Sequence, residues 1–370
     1  MKRLLFAAFL IAALATACSQ GKQHGASPAS DSDSAVAEQQ QKQLPDSLTF
    51  AFMGDIMPGT TFPESPEGAY VPKDGGKELF ADCREVFKAS DVVAGNLEGV
   101  LIEGGTPKFC KDPKLCFTFR IPPFMAQVFK DEGFDYMNLA NNHANDFGVE
   151  GTESSHSVLE KAGIASAGIR GVAPTAVIEK NGVKIGFTGF STGVTTLSAL
   201  DLEELRRTVT ELRKHCDILV VALHAGGEGA AYTHVPRKEE VFHGWPRGDV
   251  WKFARTAIDC GADIVWGHGP HLARGMEVYK DRLVMYSLGN FCTPYRMGIA
   301  GLTGQAPLVQ VTVRPDGTFL GGKIHSMTQQ KGIGPRLDPG HAAARQIKKL
   351  SLEDFPESPL KISDTGELTK

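Results

Sequence analysis

Side chains of the types that bind metal ions recur along this chain, each time directly after a short apolar run. Each run is typical of a buried strand that ends in a polar loop. In open α/β sheets the carboxyl ends of the strands face one crevice, so residues far apart in sequence can meet there. Six side chains at such positions are candidate metal ligands: Asp55, Glu98, Asn142, His224, His268 and His271.

Together these six predict a two-metal site. Mixed nitrogen and oxygen ligands suit Mn, Fe or Zn better than Ca or Mg. Six ligands exceed one tetrahedral site but suit two divalent transition metal ions bridged by a carboxylate. Taken singly, several have simpler explanations: Asp55 follows a glycine and could be a turn former, and Asn142 could hydrogen-bond to its own loop backbone. His224 fits such an explanation less well, because an unpartnered polar group at the end of an apolar run costs free energy.

The elements that would position these ligands alternate between strands and helices. Leu202, Leu205, Val209 and Leu212 form an apolar stripe with helical spacing. Further helices are predicted over residues 126–132, 153–162 and 250–260. Apolar, strand-like runs cover residues 48–53, 91–95, 136–140, 184–189, 217–223, 262–266 and 283–288. This alternation predicts an α/β fold whose sheet faces are covered by helices.

Composition limits the class of protein. The chain has 370 residues, of which 42% are hydrophobic and 22% charged, so it can bury a sizeable core. The formal net charge of -4 gives no electrostatic reason to expect nucleic acid as a partner.

The first eighteen residues predict export. Lys2 and Arg3 precede an apolar run over residues 4–14, which is too short to span a bilayer and has the flanks of a signal peptide. Small residues then lead to Cys18, as in the lipobox of bacterial lipoproteins, so Cys18 is the predicted lipidation site. An ordinary secretory signal with a chance cysteine is the alternative. We expect a periplasmic or surface lipoprotein held at the membrane by a lipid anchor.

The chain after the signal peptide divides into three parts. Residues 19–46 are polar and poor in large apolar residues, which predicts a disordered tether. Residues 47–330 would form the folded domain. Residues 331–370 would form a C-terminal extension with a short basic helix near 341–350 and a polar tail, and we expect this part to be packing and a fraying terminus.

Six cysteines remain after Cys18, an even number that favours disulfides in an oxidising compartment. Cys110 and Cys116 flank a turn-rich pentapeptide and are the predicted pair. Cys216 and Cys260 lie among apolar residues and could equally be buried free thiols.

The order of these motifs resembles the CapA family, whose members are linked to poly-γ-glutamate capsule production and which is similar to the calcineurin-like metallophosphatases. The resemblance covers roughly residues 47–330. It is carried by Gly54-Asp55, Asn96-Leu-Glu98-Gly99, Ala140-Asn-Asn-His143, His224, Gly267-His268-Gly-Pro-His271 and Tyr286-Ser-Leu-Gly-Asn-Phe291.

The resemblance implies a four-layer α/β sandwich of the metallophosphatase type with two central sheets. In it Asp55 corresponds to the first-strand aspartate, Glu98 to the bridging carboxylate and Asn142 to the amide ligand. His143 would be the histidine near the leaving group, and the other three histidines would complete the metal shell. Asn141, Glu228 and Asn290 are assigned to substrate binding, and so is Arg120, for which a surface salt bridge is the simpler explanation.

The chain also departs from these patterns. Metallophosphatases usually begin with Asp-x-His, whereas Met57 stands at the third position here. The CapA pattern His-Trp-Gly-x-Glu-Tyr is replaced by a segment with Ala225 and Gly229 that keeps Glu228, which implies a differently shaped pocket. The segment from His234 to Trp245 is interpreted as either a substrate-facing loop or surface decoration.

The resulting hypothesis is a metal-dependent hydrolase or transferase that acts in capsule or related surface-polymer synthesis. The bond would be a phosphoester or a γ-glutamyl amide, with His143 as general acid. An anionic surface polymer or its precursor would be the substrate, and capsule-synthesis membrane proteins would be partners. The alternative is a non-catalytic scaffold of the same fold that binds or exports the polymer.

Overall fold

A computed structural model describes residues 44–65, 68–109 and 117–370. Its helices are α1 (Arg84–Lys88), α2 (Met125–Asp131), α3 (Gly148–Lys161), α4 (Leu202–Arg213), α5 (Val250–Asp259) and α6 (Ala342–Asp354). Its strands are β1 (Leu48–Ile56), β2 (Val92–Leu97), β3 (Val100–Leu101), β4 (Arg120–Ile121), β5 (Tyr136–Asn138), β6 (Ala165–Ala167), β7 (Thr175–Lys180), β8 (Val183–Ser191), β9 (Leu197–Ser198), β10 (Ile218–His224), β11 (Glu240–Phe242), β12 (Trp245–Gly248), β13 (Ile264–His268), β14 (Met276–Tyr279), β15 (Arg282–Met285), β16 (Asn290–Cys292), β17 (Gln305–Val313), β18 (Phe319–Gln330), β19 (Gly334–Leu337), β20 (Lys361–Ile362) and β21 (Glu367–Thr369).

Two sheets organise these strands. The first runs in the order β20-β21-β18-β17-β1-β2-β5-β6, with β16 also paired to β1 and β19 to β18. The second runs β14-β15-β13-β10-β8-β7, with β9 paired to β8. The strands β1, β2, β5 and β6 are parallel, and so are β8, β10, β13 and β15. Their carboxyl ends therefore point the same way within each sheet.

Alternation along the strands separates the chain into layers. On β1, Phe50 and Phe52 enter the core between the two sheets, while Ala51 and Met53 face a second core. That second core covers the outer face of the first sheet with α1, α2 and α3. A third core packs α4 and α5 on the outer face of the second sheet. The predicted four-layer α/β sandwich is confirmed.

Local chemistry explains where the helices of the second sheet begin. The Asp201 side chain accepts hydrogen bonds from the backbone N–H of Glu203 and Glu204, at 2.9 and 3.0 Å. Asp249 accepts one from the backbone N–H of Lys252 at 2.9 Å. These caps satisfy donors that the first helical turn leaves unpaired, so the helices begin at the predicted places.

The C-terminal segment differs from the prediction of a fraying tail. Ala344 and Ile347 of α6 lie in the core between the sheets, and β21 pairs with β18. The backbone N–H of Met276 donates to Ser351 Oγ at 2.8 Å, which fixes α6 against β14. The buried residues of this segment, such as Ile362, are isolated among polar residues, so the sequence shows no extended apolar run there.

In the part of the chain that the structure describes, no helix combines the length and the apolarity needed to cross a membrane. The predicted signal peptide, with Cys18, and nearly all of the tether lie outside the described residues, as do Cys110 and Cys116. The described cysteines, Cys83, Cys216, Cys260 and Cys292, are free thiols.

Candidate metal centre

Strand register brings the candidate ligands to one place. In the first sheet Asp55 pairs with Asn96 of β2 and with Asn290 of β16. In the second sheet His224 at the end of β10 pairs with His268 at the end of β13. A hydrogen bond joins the two sheets two residues before His268 and Asp55, where the Trp266 indole N–H donates to the Met53 carbonyl at 3.0 Å.

A glycine permits the close approach of β1 and β16. A Cβ atom at Gly54 would lie 1.8 Å from the carbonyl oxygen of Gly289, so no other residue fits without moving the backbone. The next residue, Asp55, donates its backbone N–H to that same carbonyl at 2.8 Å. Gly54 thereby holds Asn290 beside Asp55.

Asp55 is the carboxylate shared by the three histidines. Its Oδ2 lies 3.1 Å from Nδ1 of His271, and its Oδ1 lies 3.5 Å from Nδ1 of His268 and 4.0 Å from Nδ1 of His224. Asp55, His224 and His268 are fully buried. Residues 216 positions apart therefore form one cluster at the rim of the sandwich.

Glu98 is the second carboxylate of this cluster. Its Oε1 lies 3.8 Å from Nε2 of both His224 and His271, and 4.0 Å from Nε2 of His143. Ligand atoms of Asp55, Glu98 and His271 all lie within 4.8 Å of one another, close enough for one ion to bind all three.

Unpaired atoms indicate that the cluster is built for a cation. Among the described residues, buried side-chain atoms without a hydrogen-bond partner include both carboxylate oxygens of Glu98, Nε2 of His224 and of His268, and Oδ1 of Asn142. Leaving such a group unpaired costs about 1–3 kcal/mol. Carboxylate oxygens, imidazole nitrogens and amide oxygens are donor types that suit divalent transition metals, so these residues fit the predicted ions.

Burial and charge shift the pKa values of the cluster in opposite directions. Burial and the neighbouring charge of Asp55 raise the pKa of Glu98 well above its usual value. Burial opposes protonation of His271, but the charge of Glu98 and the hydrogen bond to Asp55 outweigh it and raise the His271 pKa to about 10. Burial alone would raise the pKa of Asp55, yet its close contacts with the rings of His268 and His271 hold it below its usual value. Burial lowers the pKa of His224 and of His268.

A row of buried asparagines restrains Asp55 and the loop that carries His143. The Asn96 amide donates to Asp55 Oδ1 at 2.8 Å, and the Asn138 amide donates to Asn96 Oδ1 at 2.8 Å. Asn141 donates to the Leu97 carbonyl at 2.8 Å and accepts from the His143 backbone N–H at 3.0 Å. Sequence reasoning gave Asn96 and Asn138 no role at the site. The available signal was an amide inside each of two otherwise apolar strands.

His143 is oriented by an aspartate that sequence reasoning did not assign to the site. Its Nδ1 lies 2.8 Å from Asp146 Oδ2, which leaves Nε2 facing Glu98. Asp146 is fully buried, accepts the Phe119 backbone N–H at 2.8 Å and pairs with Lys108. The signal for this pair was the spacing of three residues in His143-Ala-Asn-Asp146.

Glu228 reaches the rim of the cluster from the loop after β10. Its Oε2 lies 4.0 Å from Nε2 of His271, and its Oε1 forms an ion pair with Arg247 Nη1 at 2.9 Å. The same loop is anchored by the buried pair of Arg274 and Glu240, whose two hydrogen bonds are 2.9 and 2.8 Å long. Arg247, Arg274 and Glu240 were not among the predicted site residues.

The other two predicted substrate-binding residues differ in their surroundings. Asn290 Oδ1 lies 3.0 Å from His271 Nδ1, within the cluster. The hydrogen bonds of Arg120 within the described residues go to Glu64, Thr61, Gly104 and Thr60, and none goes to the cluster.

The segment from His234 to Trp245 is divided between two surroundings. His234 Nδ1 lies 2.7 Å from Asp354 Oδ1 at the end of α6, and Arg237 pairs with Glu357. The β11–β12 hairpin that follows carries an exposed Trp245 at its turn and leads into Arg247.

Comparison with known proteins gives a family match. The model of the family described as bacterial capsule synthesis protein PGA_cap matches residues 49–295. The PGA biosynthesis protein CapA of Bacillus subtilis (strain 168) is 32% identical over 289 residues, which are 74% of this chain and 70% of that protein. The capsule biosynthesis protein CapA of Bacillus anthracis is 28% identical over 291 residues, which are 74% of this chain and 66% of that protein.

Solved structures show only distant similarity. The calcineurin-like phosphoesterase YfkN from Bacillus subtilis aligns with a TM-score of 0.47 and 11% identity, covering 84% of this chain and 97% of that one. A putative 5'-nucleotidase from Staphylococcus aureus aligns with a TM-score of 0.44 and 14% identity, covering 82% and 58%.

Proposed function

This chain belongs to the PGA_cap family of bacterial capsule synthesis proteins, and we propose that it is a metal-dependent hydrolase or transferase acting in surface-polymer synthesis. The polymer would be poly-γ-glutamate or a related polyanion. The bond acted on would be a phosphoester or a γ-glutamyl amide. Export through the N-terminal signal and anchoring through Cys18 would place the activity at the cell envelope, beside the membrane proteins of capsule synthesis.

One observation supports a catalytic site above all others. Two buried carboxylates, Asp55 and Glu98, have oxygens within 4.0 Å of the ring nitrogens of three histidines. Several of the inward atoms have no other partner in the described part of the chain. A purely structural cluster would pair these groups, since unpaired polar atoms in an interior destabilise the fold.

The residues that would hold two divalent ions are Asp55, Glu98, Asn142, His224, His268 and His271. Two divalent ions bound there would supply Lewis acidity, which polarises a phosphoryl or carbonyl oxygen and favours ionisation of water. Asp55 and Glu98 bring two negative charges, so part of the ionic charge remains available for an anionic substrate.

The protein's own side chains would donate the proton and hold the metal-binding residues in place. His143 presents Nε2 toward Glu98, where it would donate a proton to the leaving group. Asp146 would accept the N–H of the other ring nitrogen, Nδ1, and so favour the doubly protonated ring, whose Nε2 proton is the one transferred. The asparagine row restrains Asp55, and Asn290 restrains His271, so the ligands keep one geometry.

Metal analysis combined with a substrate panel tests the proposal. Full-length protein, purified in detergent, is expected to carry about two equivalents of transition metal and to hydrolyse an activated phosphodiester or a γ-glutamyl amide. Asp55→Ala and His271→Ala should lose both metal and activity. His156→Ala is the control, because His156 contacts Ser166 on the helix side of the first sheet.

The alternative hypothesis, a non-catalytic scaffold that binds the polymer, predicts a different result. A metal-free, inactive protein whose polymer binding is unchanged in Asp55→Ala would identify the fold as a binding platform and contradict the enzyme.

A further inference from the structure

Arg247 places a guanidinium at the rim of the metal centre with one half of its donor fork unused. Its Nε donates to the Gly226 carbonyl at 2.8 Å, and its Nη1 forms an ion pair with Glu228 Oε1 at 2.9 Å. Its Nη2 is buried and has no acceptor among the described residues. The residue as a whole is only 8% exposed. A buried, half-satisfied guanidinium is costly unless an acceptor joins it at some stage of the protein's work.

The two partners of this ion pair are held very differently. Arg247 is fixed by its Nε bond and also by its backbone carbonyl, which accepts the Gly226 N–H at 2.8 Å. Gly226 adopts a φ of 90°, a backbone conformation that glycine tolerates and other residues rarely adopt. Glu228 has a side chain that is 23% exposed and a single ion-pair contact shorter than 4.0 Å. Glu228 is therefore the member that can turn away while Arg247 stays in place.

The position occupied by the Glu228 carboxylate is next to the reacting centre. Its Oε2 lies 4.0 Å from His271 Nε2, and that nitrogen lies 3.8 Å from Glu98 Oε1. An oxyanion that replaced this carboxylate would meet Nη1 of Arg247, and the neighbouring Nη2 of the same guanidinium still lacks an acceptor. It would also lie beside His271, one of the residues that would hold the ions. Arginine forks favour carboxylate and phosphate because two parallel N–H bonds match their oxygens.

We infer that Arg247 is an oxyanion subsite and that Glu228 occupies it as an internal stand-in until an anionic group of the substrate displaces it. The substrate side of this inference rests on the proposed function. The substrate class is one with a carboxylate or phosphate close to the scissile bond. A γ-glutamyl chain fits through the α-carboxylate adjacent to each amide, and a phosphoester fits through its own phosphoryl oxygens.

Anion binding without turnover tests the subsite. Full-length protein is titrated calorimetrically, at constant ionic strength, with glutarate in one series and inorganic phosphate in the other. Glu228→Gln removes the competing charge and should strengthen binding of the favoured anion about tenfold. If the Glu228–Arg247 pair has a purely structural role, Glu228→Gln should not bind either anion more tightly. An unchanged or weaker affinity for both anions therefore overturns the inference.

Double variants distinguish binding by the guanidinium of Arg247 from attraction by any positive charge. Glu228→Gln/Arg247→Met should lose the gain. Glu228→Gln/Arg247→Lys keeps the charge without the fork and should lose most of it. Glu228→Gln/Arg237→Met should keep the whole gain, because Arg237 pairs with Glu357 away from the cluster. A gain that persists without Arg247 assigns the anion elsewhere and refutes the subsite. If the Met variant does not fold, the Lys variant still decides.

The same titrations in an Asp55→Ala background distinguish this inference from the proposed function. Loss of metal and activity there should leave the Arg247-dependent binding intact. Binding that disappears with Asp55 but is indifferent to Arg247 assigns the anion to the metals and overturns the subsite. The relative affinity for glutarate and phosphate identifies which oxyanion the site selects.

Discussion

His143 depends on a side chain three residues away for its orientation. Asp146 accepts hydrogen bonds from the His143 ring and from the Phe119 backbone, and it pairs with Lys108, all within a buried pocket. The nearby positive charges hold the pKa of Asp146 below its usual value, although burial alone would raise it. Asp146 therefore stays ionised and keeps the proton-bearing nitrogen of His143 fixed.

Removing either member of this pair should have the same effect on rate. We expect His143→Ala and Asp146→Asn each to lower kcat about a hundredfold with unchanged metal content, because positioned proton transfer is lost. The double variant should be hardly worse than either single one, since the two act as a unit. Steady-state kinetics and metal analysis measure this. Fully multiplicative losses would show that the residues act independently.

The raised pKa of His271, about 10, has a consequence for metal binding. Below that pH the metal-free protein holds a proton on His271, and metal binding must release it. Apparent metal affinity should therefore rise as the pH increases from about 7 toward 10. Calorimetry in buffers of different ionisation enthalpy gives the number of protons released. Binding at pH 7 without proton release would contradict the prediction, and Asp55→Ala provides the baseline.

At the scale of elements, the ends of strands position the candidate ligands, and strand register decides which of them meet. The end of β1 sets Asp55 beside Asn96 and Asn290, and the ends of β10 and β13 set His224 beside His268. Sequence pattern predicted these strands and the helices α2, α4 and α5 closely, because apolar periodicity is a local signal. It placed the start of α3 at residue 153, whereas the helix begins at Gly148. It did not predict β17 and β18, although β17 is the antiparallel neighbour of β1.

Helix α6 offers a direct test of the C-terminal segment. Ile347 is fully buried between the sheets, whereas Leu352 on the same helix is 61% exposed. We expect Ile347→Ala to lower the free energy of unfolding by about 2–5 kcal/mol. Leu352→Ala should change it by less than about 0.5 kcal/mol. Urea denaturation of the full-length protein measures both, and equal effects would mean that α6 does not belong to the core.

At the scale of the whole molecule, the candidate metal centre lies between two sheets that share a core. Asp55 and Glu98 come from the first sheet, and His224 and His268 come from the second. An ion bound between them adds a link across the sandwich that the unfolded chain cannot make. Stability of the fold should therefore depend on metal.

Metal removal should lower the melting temperature. At a free metal concentration one hundred times the dissociation constant, binding stabilises the native state by about 2.7 kcal/mol. We expect chelation to lower the melting temperature of the wild-type protein by a few degrees and to leave Asp55→Ala unchanged. Calorimetric scans before and after dialysis against chelator measure this. Identical scans for loaded and chelated wild-type protein would show that no ion bridges the sheets.

The sequence by itself determined the α/β class and the segments that carry Asp55, Glu98, His224, His268 and His271. It could do so because each ligand follows a run whose periodicity is encoded locally. Only the tertiary structure decided that Asn96 restrains Asp55, that Arg247 pairs with Glu228 and that Arg120 pairs away from the cluster. It also showed that the polar C-terminus is folded. These facts depend on strand register and on which of two sheet faces meets another layer, and both are set by contacts between residues far apart in the chain.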